Sequence, residues 1–236
     1  MFLTDLFKAL VIYALVCAAS LLASRLMITL GPRLGLMDMP AGRRVHSKPT
    51  PRAGGIAIWV VFVVAVFILD AAAIFTPDKG DGRLAGFLAA SGVLLIFGIL
   101  DDRGGIPALV KLGGQILAAA LYWYFSDSNK EVLAGVSIPL WVDLIVWVVW
   151  IVLLINAYNL IDGLDGLCGG LAWISLAGIL LAAQALQVGG DRVDQVIIMM
   201  AAIMGFLFYN RSPARLFLGR IGRPQLLPRQ EGYGPH

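Results

Sequence analysis

The chain has 236 residues, 59% of them hydrophobic and 14% charged, with a mean hydropathy of +0.85 and a formal net charge of +3. That composition excludes a soluble globular domain, and so small and dispersed a positive charge excludes a nucleic-acid-binding protein. The apolar runs are continuous rather than alternating, which excludes a β-barrel and leaves an all-α, polytopic integral membrane helical bundle.

Seven spans are predicted in chain order: Leu6–Leu30, Ile56–Phe75, Leu84–Leu100, Leu109–Phe125, Leu140–Ile155, Leu167–Gln187 and Val196–Tyr209. The third, fifth and seventh are short for a helix crossing ~30 Å of hydrocarbon. The first is too long for a removable signal peptide and lacks a small-residue cleavage site. Cys17 and Cys168 fall in apolar runs and read as small buried hydrophobes. No internal repeat is visible, so residues 1–219 read as one membrane domain. Residues 220–236, rich in Arg, Pro and Gly, read as a disordered or out-of-frame tail.

Loop charges orient the bundle. The loops after spans one, three, five and seven carry twelve Lys and Arg; the other side carries five, mixed with Asp and Glu. Positive charge stays inside, which places those loops in the cytoplasm and the N-terminus outside.

The polar chemistry collects on that same side. The first inner loop, Asp38–Gly55, holds Arg43, Arg44, His46, Lys48 and Arg52, all suited to phosphate. Its X-Pro steps keep Lys48 and Thr50 extended, and Gly54-Gly55 permits close approach to a ligand or another helix. The second opens with Asp101-Asp102-Arg103. Adjacent carboxylates at a helix C-terminus oppose the dipole, so they suit Mg²⁺ or a base with its orienting partner. Lys111 follows, placed to neutralise a phosphate. The third reads Asn156-Ala-Tyr-Asn-Leu-Ile-Asp-Gly-Leu-Asp-Gly166, in which Asn159, Asp162 and nearly Asp165 share one face if the segment is helical. Acids on two loops beside a basic one point to Mg²⁺-assisted chemistry on a phosphorylated substrate at the membrane surface. Acids at span ends, with no inverted repeat, weigh against a transporter.

Three motifs in order carry a resemblance: His46-Ser-Lys-Pro-Thr-Pro-Arg-Ala-Gly-Gly55, Leu100-Asp-Asp-Arg103 with Lys111, and Asn156–Gly166. Asn210-Arg-Ser-Pro-Ala-Arg-Leu-Phe-Leu-Gly219 joins them. The chain resembles the polyprenyl-phosphate N-acetylhexosamine-1-phosphate transferases of glycosyl transferase family 4. That membrane family includes phospho-N-acetylmuramoyl-pentapeptide transferase and the initiators of O-antigen and teichoic acid synthesis. The resemblance implies transfer of an N-acetylhexosamine 1-phosphate from a UDP-sugar to polyprenyl phosphate, with release of UMP, for cell-envelope polysaccharide at the bacterial inner membrane. It implies Mg²⁺, or Mn²⁺ in its place, and as partners the UDP-N-acetylhexosamine, the polyprenyl phosphate and the membrane; a homodimer stays open. By resemblance Asp101 or Asp102 positions or deprotonates the lipid phosphate, and Asn159 and Asp162 contact metal or nucleotide. His46, Lys48, Thr50, Lys111, Asn156 and Asp165 bind substrate.

The resemblance stops after Gly219. The family's Phe-Leu-Gly element continues as Gly-Asp-x-Gly-Ser, whose Asp is a main Mg²⁺ ligand, and Arg220 stands in its place here. A guanidinium repels Mg²⁺. Two expectations follow: a chain truncated by a frame shift near Gly219 with its other motifs intact, or a complete chain with a different role, as a non-catalytic binding subunit or an enzyme with its metal site rebuilt. Under either, this polypeptide alone is expected to be poorly active.

Overall fold

The computed structural model describes residues 2–38, 49–72, 82–126, 138–187 and 191–219. Within them lie, in chain order, helix α1 (Phe2–Leu30), strands β1 (Met37–Asp38) and β2 (Thr50–Pro51), then helices α2 (Gly54–Ala71), α3 (Arg83–Gly104), α4 (Ala108–Phe125), α5 (Leu140–Ile161), α6 (Leu167–Ala185) and α7 (Asp191–Asn210). Met37 pairs with Pro51 and Asp38 with Thr50 in the short antiparallel β1–β2 ladder. All seven helices are long and apolar enough to cross a membrane, since 20 helical residues cover about 30 Å.

The predicted spans and the helices coincide, with corrections at four ends; the first is that α2 stops at Ala71 rather than Phe75, which lies outside the described residues. Helix α3 continues through Asp101 and Asp102, α5 continues through Asn156 and Asn159, and α7 begins at Asp191 rather than Val196. A polar side chain does not end a helix. Near lipid the backbone keeps its internal hydrogen bonds until a residue such as Gly105, at φ +69°, turns the chain away. The three spans that looked short are therefore 22, 22 and 20 residues long.

Helix α7 is the centre of the bundle, packed on α1, α2 and α6, while α3, α4 and α5 follow as successive neighbours. Ile198, Ala201, Ala202 and Phe206 of α7 are fully buried, and Leu36 and Leu216 close the loop end of the same core. Between membrane helices the gain comes from close packing and polar ties, because lipid is as apolar as the core. Gly205 supplies the closest approach: a Cβ there would sit 2.5 Å from Cys17 O and 2.6 Å from Ser20 Cβ of α1. Ser20 Oγ then donates to Ala202 O across the gap, at 2.5 Å.

Other pairs are tied by individual polar bonds. Trp59 Nε1 donates to Ser91 Oγ (α2–α3), Trp123 Nε1 to the buried Asp143 Oδ2 (α4–α5), and Trp173 Nε1 to Tyr13 OH (α6–α1). Asn156 Nδ2 donates to Gln115 Oε1 at 2.9 Å, a second α4–α5 tie at the opposite end from Asp143.

Candidate functional site

The helix ends that follow from the loop-charge pattern do meet at one end of the bundle. They are drawn together by hydrogen bonds between segments far apart in sequence. Phe217 N–H donates to Pro51 O (2.8 Å), Gly54 N–H to Phe217 O (2.9 Å) and Gly55 N–H to Leu218 O (2.6 Å). Residues 217–219 thus lie as a strap over the start of α2. Gly54 and Gly55 are what allow it. A Cβ at position 54 would collide with the Phe206 ring, and one at position 55 would lie 2.9 Å from Leu218 O. The close approach expected of these glycines is made to the chain itself.

Asn210, 6% exposed at the end of α7, fastens the strap from the other side. Its Nδ2 donates to Leu216 O (2.9 Å) and its Oδ1 accepts Gly166 N–H (3.1 Å). Asp165 Oδ2 accepts Ala214 N–H at 3.0 Å. Asp165, expected to bind substrate, here orders the 211–216 turn. Asn210 was visible only as the first letter of a matching motif, and nothing local marked it as a fastener.

The two adjacent acids have different surroundings. Asp101 is 5% exposed; its Oδ1 pairs with Lys111 Nζ at 2.8 Å and accepts Ile106 N–H at 3.1 Å. It therefore fixes the turn between α3 and α4 and holds Lys111 at the start of α4. Its Oδ2 is buried with no hydrogen-bond partner among the described residues. Asp102 lies 3.7 Å from Arg52 Nη1, and Arg52 is also paired with Asp38 of β1. Arg52 thus offsets two carboxylates before it could meet a phosphate. Asp102 Oδ2 would be 3.2 Å from a Cβ at Gly219, so the strap and the second acid touch.

Gly219 also lines a cavity of ≈ 340 Å³ walled by Ile58, Leu154, Ile155 and Ile203, whose polar lining includes Asn159 and Asp162. Asn159 Nδ2 is buried without a hydrogen-bond partner among the described residues, and an unmade bond of that kind costs ~1–3 kcal/mol unless a ligand makes it. The structure therefore brings Asp101, Asp102 and Lys111 together around the α3–α4 turn and sets Asn159 and Asp162 on the adjoining cavity. Thr50 is buried in β2, in the extended geometry expected. Asn156 is engaged with Gln115 and Val152 O. His46, Lys48, Arg43, Arg44 and Arg220 lie outside the described residues. Sequence reasoning missed Asp38, Gln115 and Asn210; the lone amide of Gln115 inside an apolar span was the available signal.

Among the described residues no three of His, Cys, Asp and Glu converge as a metal-holding group. Asp162 and Asn159, which line the cavity, nonetheless carry hard oxygens, although almost all the surface the cavity exposes is apolar. Mg²⁺ is commonly held by one or two carboxylates together with substrate phosphates and water. The set fits an ion shared with a phosphorylated substrate and does not form an all-protein cage.

A family model described as glycosyl transferase family 4 matches residues 84–225. The chain is 31% identical over 201 residues to the "Probable undecaprenyl-phosphate N-acetylglucosaminyl 1-phosphate transferase" of Bacillus subtilis, covering 80% of this chain and 52% of that protein. It is 32% identical over 209 residues to the decaprenyl-phosphate N-acetylglucosaminephosphotransferase of Mycolicibacterium smegmatis (80% and 50%). It is also 32% identical over 188 residues to the phospho-N-acetylmuramoyl-pentapeptide-transferase of Streptococcus thermophilus (73% and 54%). The chain spans about half the length of these curated relatives.

Proposed function

This chain belongs to glycosyl transferase family 4, and from that premise we propose that its site serves transfer of an N-acetylhexosamine 1-phosphate from a UDP-sugar to polyprenyl phosphate. An oxygen of the lipid phosphate attacks the phosphorus attached to the sugar. The phosphoanhydride bond breaks, UMP leaves, and a polyprenyl-diphosphate sugar remains.

One observation carries this reading. Asp102 abuts the same residue, Gly219, that lines the apolar-walled cavity bearing Asn159 and Asp162. Such a site offers a carboxylate to position or deprotonate the lipid phosphate, an apolar wall for the isoprenoid, and at Asn159 an amide for a nucleotide phosphate. Asp101 keeps Lys111 in place, where its ammonium offsets the repulsion of two anionic substrates. Asp162 and Asn159 would hold Mg²⁺, which supplies charge neutralisation on the phosphates when bound.

The test is polyprenyl-phosphate-dependent UMP release with UDP-N-acetylglucosamine and Mg²⁺, by membranes carrying this chain. Weak release is expected from the native chain, and Asp102→Asn lowers it by at least ~100-fold. Arg220→Asp, which restores the carboxylate implied by the resemblance, raises the rate and lowers the Mg²⁺ needed for half-maximal rate. Failure of native chain and Arg220→Asp alike to release UMP overturns the transferase reading for this polypeptide. Strong release by the native chain, unchanged by Arg220→Asp, overturns the deficient metal set.

A further inference from the structure

Three arginines gather at the loop end of α1 and α7. Arg25 lies on α1 with Ile28 and Thr29 beside Phe208, Tyr209 and Arg215 around one concavity; Arg211 and Arg215 share a second with Phe208, Ser212 and Pro213. The guanidinium of Arg211 sits 4.8 Å over the Phe208 ring and that of Arg215 5.8 Å from the Tyr209 ring. Aromatic faces hold arginines in place without neutralising them. None of the three is in an ion pair among the described residues.

From Arg211 and Ser212 an apolar groove runs between α1, α6 and α7, past Phe208, Leu167, Gly170, Leu21 and Cys17. Cys17 is eight residues before Arg25, about 12 Å along the helix. The groove is therefore charged at its loop end and apolar toward the middle of the membrane. The acid on its rim, Asp165, has Oδ2 turned onto Ala214 N–H.

We propose that this groove and its arginines bind an anionic glycerophospholipid, with the phosphate at Arg25, Arg211 and Arg215 and an acyl chain along α6–α7. Arginine recognises phosphate through paired N–H donors. Basic recesses between membrane helices suit anionic headgroups, whereas the trimethylammonium of phosphatidylcholine gains nothing from three guanidinium groups.

The detergent-solubilised full chain, equilibrated with equimolar phosphatidylglycerol and phosphatidylcholine, is read by native mass spectrometry. The expected result is one retained phosphatidylglycerol, favoured by at least about fivefold, the factor assigned to a single arginine near an anionic surface. The triple variant Arg25→Gln, Arg211→Gln, Arg215→Gln removes that preference. Arg33→Gln with Arg103→Gln, exposed arginines outside the groove, keeps it. Gly170→Leu is the variant of choice for the groove, because a Cβ there meets nothing within 4 Å in the protein and Leu favours the helix; it lowers retention by filling the acyl path. Equal preference in the triple variant, equal loss in the Arg33/Arg103 pair, or displacement of the lipid by inorganic phosphate alone each overturns the proposal.

Discussion

Asp101 is tied to Lys111 and to the backbone of Ile106, while Asp102 faces Arg52 and the strap at Gly219. Their different tasks follow from those partners. Removing the charge of Asp101 leaves the ammonium of Lys111, 17% exposed at its side chain, without its carboxylate. Breaking a buried pair from one side costs about 3 kcal/mol, whereas replacing both partners by uncharged groups costs much less. Asp101→Asn is therefore expected to lower the melting temperature, and adding Lys111→Met to restore most of it. No recovery in thermal unfolding of the double variant would show that Asp101 matters through Ile106 or its buried Oδ2 instead. The adjacency of the two acids was plain in the sequence. Their division was not, because it depends on Arg52 and Gly219, distant in the chain from both.

At the scale of elements, α4 carries Lys111 and α5 carries Asn159, and the Gln115–Asn156 bond lies between them. Gln115 is one helical turn beyond Lys111, and Asn156 nearly one turn before Asn159. That bond sets the register of two helices whose ends form facing parts of the site. Gln115→Leu removes one hydrogen bond, worth about 1 kcal/mol. A shift near 1 Å in the reacting groups can cost ~100-fold. Rates of UMP release are expected to drop by at least about tenfold, with the melting temperature changing little. A rate unchanged in Gln115→Leu would remove the tie from the site's construction. The helices themselves were readable from apolar run length, while their polar ends were not. Asn156 and Asn159 looked like loop because of their side chains, yet the backbone there remains helical. The Asn156 partner was unreadable for a simpler reason: two lone amides 41 positions apart carry no signal of contact.

For the whole molecule, the site's side of the membrane rests on loop charge. Replacing Cys17 and Cys168 by Ala and introducing Ser212→Cys or Leu186→Cys gives two exposed probes at opposite ends of the bundle. A membrane-impermeant maleimide should label position 212 only in inverted vesicles and position 186 only in intact spheroplasts; the reverse pattern would put the site outside. The strap has a further consequence, in the order of manufacture. Pro51, Gly54 and Gly55 leave the ribosome long before Phe217 and Leu218, to which they bond. During most of synthesis the first loop therefore has β1 and the side chain of Asp38 to pair with but not the strap, and the site cannot exist in any nascent chain ending before residue 219. Chains arrested at residue 212 should keep their membrane helices yet be cut by trypsin after Arg52, and chains extended through residue 219 should resist. Equal cleavage of the two would mean that the first loop takes its shape unaided.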